Sequence, residues 1–145
     1  MTQEEKQLLL KDLCARLPYG VVVNVEGDSD FDGCLRPYTS KLSLGLLQKY
    51  LGHSFSILPY LRPISSMTEN EIDKLFDTLH IDKDGEDGDW IKINDVVGIK
   101  FFFPTGKWIE NVAEAFDYLN SIHIDYLGLI EKSLAIVAPE GMYKL

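Results

Sequence analysis

The sequence predicts an α+β fold: a mainly antiparallel sheet of about five to six short strands with three to four helices, in a single domain spanning 1–145. Three observations carry that expectation. Helical and strand periodicities follow one another without regular β–α–β alternation, which argues against a parallel α/β sheet. Short β-branched or aromatic runs come in neighbouring pairs separated by turn residues, as hairpins do. A chain of 145 residues with 46% hydrophobic, 11% aromatic and 26% charged residues matches one globular core.

Thr2 with Glu5 forms a capping box, and Leu9, Leu10, Leu13, Cys14 and Leu17 recur on one helical face until Pro18 and Gly20, predicting a helix over 3–16. Cys14 reads as a small buried hydrophobe on that helix. Val21, Val22, Val23 and Val25 predict a strand over 20–26, with 33–38 as its hairpin partner and Pro37 at an edge or end. In 43–51, Leu44, Leu47 and Leu51 fit a helix ending at Gly52, whereas Leu42, Leu44 and Leu46 alternate as in a strand; the helix is the favoured reading. A strand over 53–58 follows. Pro59 and Pro63 then make 59–66 an extended connector that does not serve as a central strand, and 59–67 is where the domain would subdivide.

Thr68 with Glu71 is a second capping box, Met67 and Ile72 sit where a hydrophobic staple would, and Ile72, Leu75, Phe76 and Leu79 mark the clearest helix. An acidic loop at 82–89 leads into strands at 90–93 and 96–103, joined near Asn94 and Asp95 and ended by Pro104 and Gly106. Ile109, Val112, Ala113, Phe116 and Leu119 predict a helix over 107–121. Asp125 is placed to cap a short helix at 126–132, and 134–138 reads as a last strand before Pro139 and Gly141.

The net charge of −9 opposes a phosphate backbone, and no run of Lys and Arg is present to track one, so nucleic-acid binding is not expected. The acidity is concentrated. Asp82, Asp84, Glu86, Asp87 and Asp89 against Lys83, together with Asp28, Asp30 and Asp32, hold seven of the nine net charges. Two cysteines, Cys14 and Cys34, are too few for a disulfide framework and lack C-x-x-C spacing. The N-terminus has neither the basic start nor the apolar core of a signal peptide, and no apolar run reaches the ~20 residues that span a bilayer. Cytoplasmic residence, away from membranes, is the expectation.

Asp28, Asp30, Asp32 and Gly33 reproduce the opening of a calcium loop, with oxygens at positions 1, 3 and 5 and a glycine for the sharp turn. Leu35 fits position 8, but Thr39 stands where a bidentate Glu is needed, and the preceding segment reads as strand. A solvated hairpin turn competes with calcium binding at these three aspartates and explains them more simply. The 82–89 loop fails the same pattern, since Asp87 takes the glycine position and Ile93 the last ligand position; a charged linker is its simpler reading. His80 and Asp82 form at most a pair of metal ligands. His123-Ile-Asp125 has a ligand-like spacing, but a helix boundary and a cap account for it. Ser65 and Ser66 lack a nucleophile-elbow context, and no histidine sits beside an identifiable nucleophile, so no catalytic residue is assigned. Phe101, Phe102 and Phe103 place rings on both faces of a strand, either a covered core strand or an exposed partner-binding patch. Trp90 and Trp108 read as core or rim.

Three stretches, LLLKDLCARLPYGV at 8–21, PYLRPISSMT at 59–68 and DYLNSIHIDYLGLIEKSLAIVAPEGMY at 117–143, resemble a family of small uncharacterised proteins of gut Bacteroidetes and their phages and mobile elements. The family carries no assigned activity to transfer. The chain departs from the family's strings at Leu127 and Ser133, where Arg and Gly are expected. The resemblance implies a shared frame with variable inserts, and the inserts hold both acidic loops and the phenylalanine run. Of the polar residues in the shared strings, Arg16 and Arg62 are placed to pair with carboxylates and pin the frame.

The function expected from the sequence is a non-catalytic cytoplasmic protein-interaction module, an accessory factor of a mobile element or phage. Asp84, Glu86, Asp87, Asp89 and Phe102 are its partner-binding residues. The alternative is a divalent-cation domain that takes calcium through Asp28, Asp30 and Asp32.

Overall fold

The computed structural model describes residues 1–27, 37–52, 55–79, 90–94, 98–102 and 109–143, with 52, 90–94, 98–102 and 109–112 described through the backbone alone. Helix α1 (Gln3–Arg16) starts at the expected capping box: the Thr2 hydroxyl accepts from the Glu5 N–H at 3.1 Å, and the Glu5 carboxylate accepts from the Thr2 N–H at 2.8 Å. The buried stripe is Leu9, Asp12, Leu13 and Arg16, spaced i, i+3, i+4 and i+7. Cys14, expected inside, is exposed. The burial is rotated because Asp12 and Arg16, one turn apart, pair with each other and so can enter the interior together. A single 3₁₀ turn follows, closed by Gly20 at φ 68°, a left-handed conformation that costs glycine little.

Among the described residues the main sheet has four strands in the order β2-β1-β3-β6: β1 (Val22–Glu26), β2 (Tyr38–Lys41), β3 (Ser56–Leu61) and β6 (Ile136–Val137). β1 pairs antiparallel with both β2 and β3, whereas β3 and β6 run parallel. β4 (Trp90–Asn94) and β5 (Gly98–Phe102) form a separate antiparallel pair, from Trp90↔Phe102 to Asn94↔Gly98. The α+β class therefore holds, but among the described residues the strands form a mixed four-stranded sheet and a separate pair, in place of the expected mainly antiparallel sheet of about five to six strands.

Pro59 was expected to exclude its segment from a central strand, yet it lies within β3, which has neighbours on both sides. Backbone direction explains this. The Leu61 carbonyl accepts from the Ala138 N–H, so 57, 59 and 61 point toward the β6 side and 56, 58 and 60 toward β1. β6 is only two residues long and pairs at 60 and 61, so the missing N–H of Pro59 faces a stretch of edge with no strand beside it.

Helix α2 (Leu44–Gly52) settles the ambiguous leucine run as helix, with the Ser43 hydroxyl accepting from the Leu46 N–H at 3.1 Å; Leu47 is buried, while Leu44 and Leu51 face outward. Helix α3 (Glu69–Leu79) has its cap and buried Leu75 and Leu79 as expected, and α4 spans Ile109–Ser121. The short helix expected at 126–132 is instead a series of turns containing Gly128 at φ 71° and ending on Ser133 at φ 59°. The last strand, expected at 134–138, spans two residues, and Leu134 and Ala135 before it are buried in the core.

Two apolar clusters result. One joins Leu9 and Leu13 of α1 to Val23, Val25, Ile57 and Leu61 of the sheet; the other joins Leu75 and Leu79 of α3 to Ala115 and Leu119 of α4. Each fully buried leucine among them contributes about 1.5–3 kcal/mol. Leu127 packs against both clusters.

Candidate functional site

The polar interior of the protein is built around a fork in the sheet. β1 and β3 are paired from Glu26↔Ser56 to Val23↔Pro59 and then diverge. At the next position the Val22 N–H and the Tyr60 carbonyl point toward each other across the gap, and the Tyr143 hydroxyl sits between them. It accepts from Val22 at 2.9 Å and donates to Tyr60 at 2.6 Å. A side-chain hydroxyl thus replaces one rung of the ladder. Two residues further, the fork is filled by the segment after α4. Arg62 forms a parallel bridge with Ile124, its N–H donating to the His123 carbonyl at 2.8 Å and its carbonyl accepting from the Asp125 N–H at 3.0 Å.

Three side chains pin that segment. Arg16, fully buried at the end of α1, donates through Nε to both Asp12 oxygens at 2.9 Å and through Nη2 to the Ile124 carbonyl at 2.7 Å. Its guanidinium lies 5.3 Å from the centre of the Tyr126 ring. Burial raises the Asp12 pKa, and Arg16 opposes this only in part. Arg62 holds Glu71 through two parallel bonds of 2.8 and 2.9 Å and spends its other Nη hydrogens on the Ile122 and Ser66 carbonyls, both at 3.1 Å. The hydrogen bond from Arg62 is the main reason the Glu71 carboxyl sits below the ordinary range. Asp125, 3% exposed, receives the Leu129 and Ile130 N–H groups at 2.8 and 2.9 Å. It caps turns where a helix was expected.

His123 is the least ordinary residue here. It is 5% exposed and holds φ at 63°, and its ring stacks on Tyr143 with centroids 3.7 Å apart and planes 16° apart. Burial, reinforced by the Arg16 and Arg62 charges, lowers its pKa from 6.5 to about 4, so the ring is neutral at pH 7. Its Nδ1 is buried without a hydrogen-bond partner among the described residues, as are Asn120 Oδ1 and Arg16 Nη1. Next to this cluster a cavity of about 410 Å³ is lined by Arg62, Ser66, residues 137–141 and Tyr143. Its one guanidinium is already neutralised by Glu71.

The candidate ligands Asp28, Asp30 and Asp32 and the candidate partner-binding residues Asp84, Glu86, Asp87 and Asp89 lie outside the described residues. Phe102 ends β5 opposite Trp90, and only its backbone is described. Among the described residues no three His, Cys, Asp or Glu side chains come together as a metal site, and no helix is long and apolar enough to cross a membrane. The two arginines singled out in the sequence do pair with carboxylates and pin the frame. Asn120, His123 and Tyr143 were not singled out for what they do here. The i, i+4 spacing of Asp12 and Arg16 was the one local signal for this cluster. Comparison with protein-family models, curated proteins and solved structures gave no match.

Proposed function

We propose that the protein is a non-catalytic, cytoplasmic interaction module whose α+β frame carries acidic segments to a basic surface on a protein partner. The division of charge supports this reading. The buried Asp12, Arg16 and Asp125 and the partly buried Arg62 and Glu71 are engaged in holding the frame, while seven of the nine net negative charges fall in two short segments elsewhere in the chain. Charges spent on the frame are poor candidates for recognition, and concentrated charge gives association rate and specificity. Asp84, Glu86, Asp87, Asp89 and Phe102 are the residues assigned to the partner, and an accessory role in a mobile element or phage follows from the family resemblance.

Affinity capture from native lysate tests this. A stoichiometric partner is expected at low salt, released as ionic strength rises, and lost when Asp84, Glu86, Asp87 and Asp89 are replaced by their amides. Turnover of a small molecule with no stoichiometric partner would sink the reading. The spacing of Asp28, Asp30 and Asp32 supports a second reading, calcium binding, which calorimetry decides: no heat at millimolar calcium removes it, and capture that survives a chelator separates it from the first.

A further inference from the structure

Among the described residues, one side chain of 139–143, Tyr143, makes the segment's hydrogen bonds to the frame. They run through its hydroxyl, to Val22 and Tyr60, while the Met142 N–H bonds within the segment to the Pro139 carbonyl. The Tyr143 ring rests on His123. The fastening therefore rests on an imidazole that is buried, unpartnered at Nδ1 among the described residues and subject to the charges of Arg16 and Arg62.

We propose that this segment is an acid-released latch: a proton arriving on His123 puts a positive charge beside Arg16 and Arg62, where Asp12, Glu71 and Asp125 are already engaged and Glu140, in the latch itself, is exposed to solvent, and the Tyr143 ring stacked on it is expelled. The charged groups around the ring decide this. From α1 come Arg16 and Asp12, and both Asp12 oxygens already accept from Arg16. From the end of β3 comes Arg62, whose carboxylate partner on α3, Glu71, is held at both oxygens. From the turns after α4 come Asp125, both oxygens of which take backbone N–H groups, and Tyr126; α4 itself offers the uncharged Asn120. A cation on the Tyr143 face gains something from the ring quadrupole. Burial and two like charges outweigh that gain, since the ring is driven down to about 4.

The sign of the effect is fixed. A histidine held at about 4 in the closed state, and returned toward its ordinary 6.5 when opening restores its solvation, keeps the latch shut above pH 6.5. Below that pH the opening equilibrium grows roughly tenfold per pH unit until about pH 4. Opening removes the wall that residues 139–143 give to the 410 Å³ cavity and uncovers its Arg62 side.

The test is amide exchange on the full chain, expressed as protection factors, together with the titration of the His123 ring protons. Val22 protection should fall by up to about 40-fold between pH 6.5 and 4.5, in step with His123, while Leu13 within α1 stays protected. His123→Asn removes the titration and keeps a residue that tolerates positive φ; its Val22 protection should be flat over the same range. Tyr143→Phe removes the fastening, so its Val22 amide should exchange freely at pH 7.5 with no further pH dependence. Loss of Val22 and Leu13 protection in a single transition would overturn the latch. So would an unchanged pH profile in His123→Asn, a His123 midpoint near 6.5, or a still-protected Val22 in Tyr143→Phe.

Discussion

At the scale of the residue, the interior depends on a buried ion pair whose members are worth less separately than together. Arg16→Met leaves the Asp12 carboxylate buried without its partner and the Ile124 carbonyl without its donor. The expected loss is about 3–5 kcal/mol in urea unfolding. The double change Asp12→Leu with Arg16→Met should recover most of it, because two apolar groups leave no stranded charge. Ser133 is a different case. It holds φ at 59°, where a side chain costs about 1–2 kcal/mol and glycine almost nothing. Part of that is offset by the greater freedom of glycine in the unfolded chain. Ser133→Gly should therefore stabilise by roughly 0.5–1 kcal/mol, read as a higher midpoint at unchanged slope. The pairing role of Arg16 and Arg62 could be read from the sequence because it needed only a cation among apolar strings. The His123 stack could not, since its partner lies twenty residues further along and meets it only through the fold.

At the scale of the element, the two capping signals were read correctly, whereas the helical face assigned to Cys14, the helix at 126–132 and the pairing of the last strand were not. Both capping boxes formed because a hydroxyl and a carboxylate three residues apart satisfy two N–H groups without help from elsewhere. Thr68→Ala should cost about 1 kcal/mol in thermal unfolding. Glu71 links that cap to Arg62, and its carboxyl lies below the usual 4.5 in the folded state. The stability it lends is thus complete above pH 4.5 and lost as pH falls through the lowered value, so Glu71→Gln should flatten the acid limb of the stability curve. The helix expected at 126–132 failed because the Asp125 carboxylate reaches the Leu129 and Ile130 N–H groups, four and five residues on, and Gly128 turns left-handed between them. The parallel β3–β6 pairing joins residues 76 positions apart and leaves no local mark.

At the scale of the whole molecule, the two apolar clusters meet at Leu127 and are bridged by Arg16, which links α1 to the segment after α4. They should not unfold separately. Far-ultraviolet circular dichroism and intrinsic fluorescence are expected to give coincident transitions in denaturant, whereas two resolved midpoints would mean that the clusters are independent units. The α+β class was legible because composition and periodicity report what each segment can bury. The arrangement of the sheet was not, because the fork between β1 and β3 is filled by backbone and a hydroxyl from the far end of the chain.

That fork also sets an order of events during synthesis. Tyr143 must reach Val22, 121 residues earlier, and Tyr60, 83 residues earlier, before the last rung between the strands exists. While the chain is still emerging from a ribosome, the Val22 N–H and Tyr60 carbonyl have only water to bind, and the open end of the fork remains available to any passing strand edge. Closure therefore waits on a contact between distant parts of the chain, and until Tyr143 arrives the sheet stays unsealed at this end.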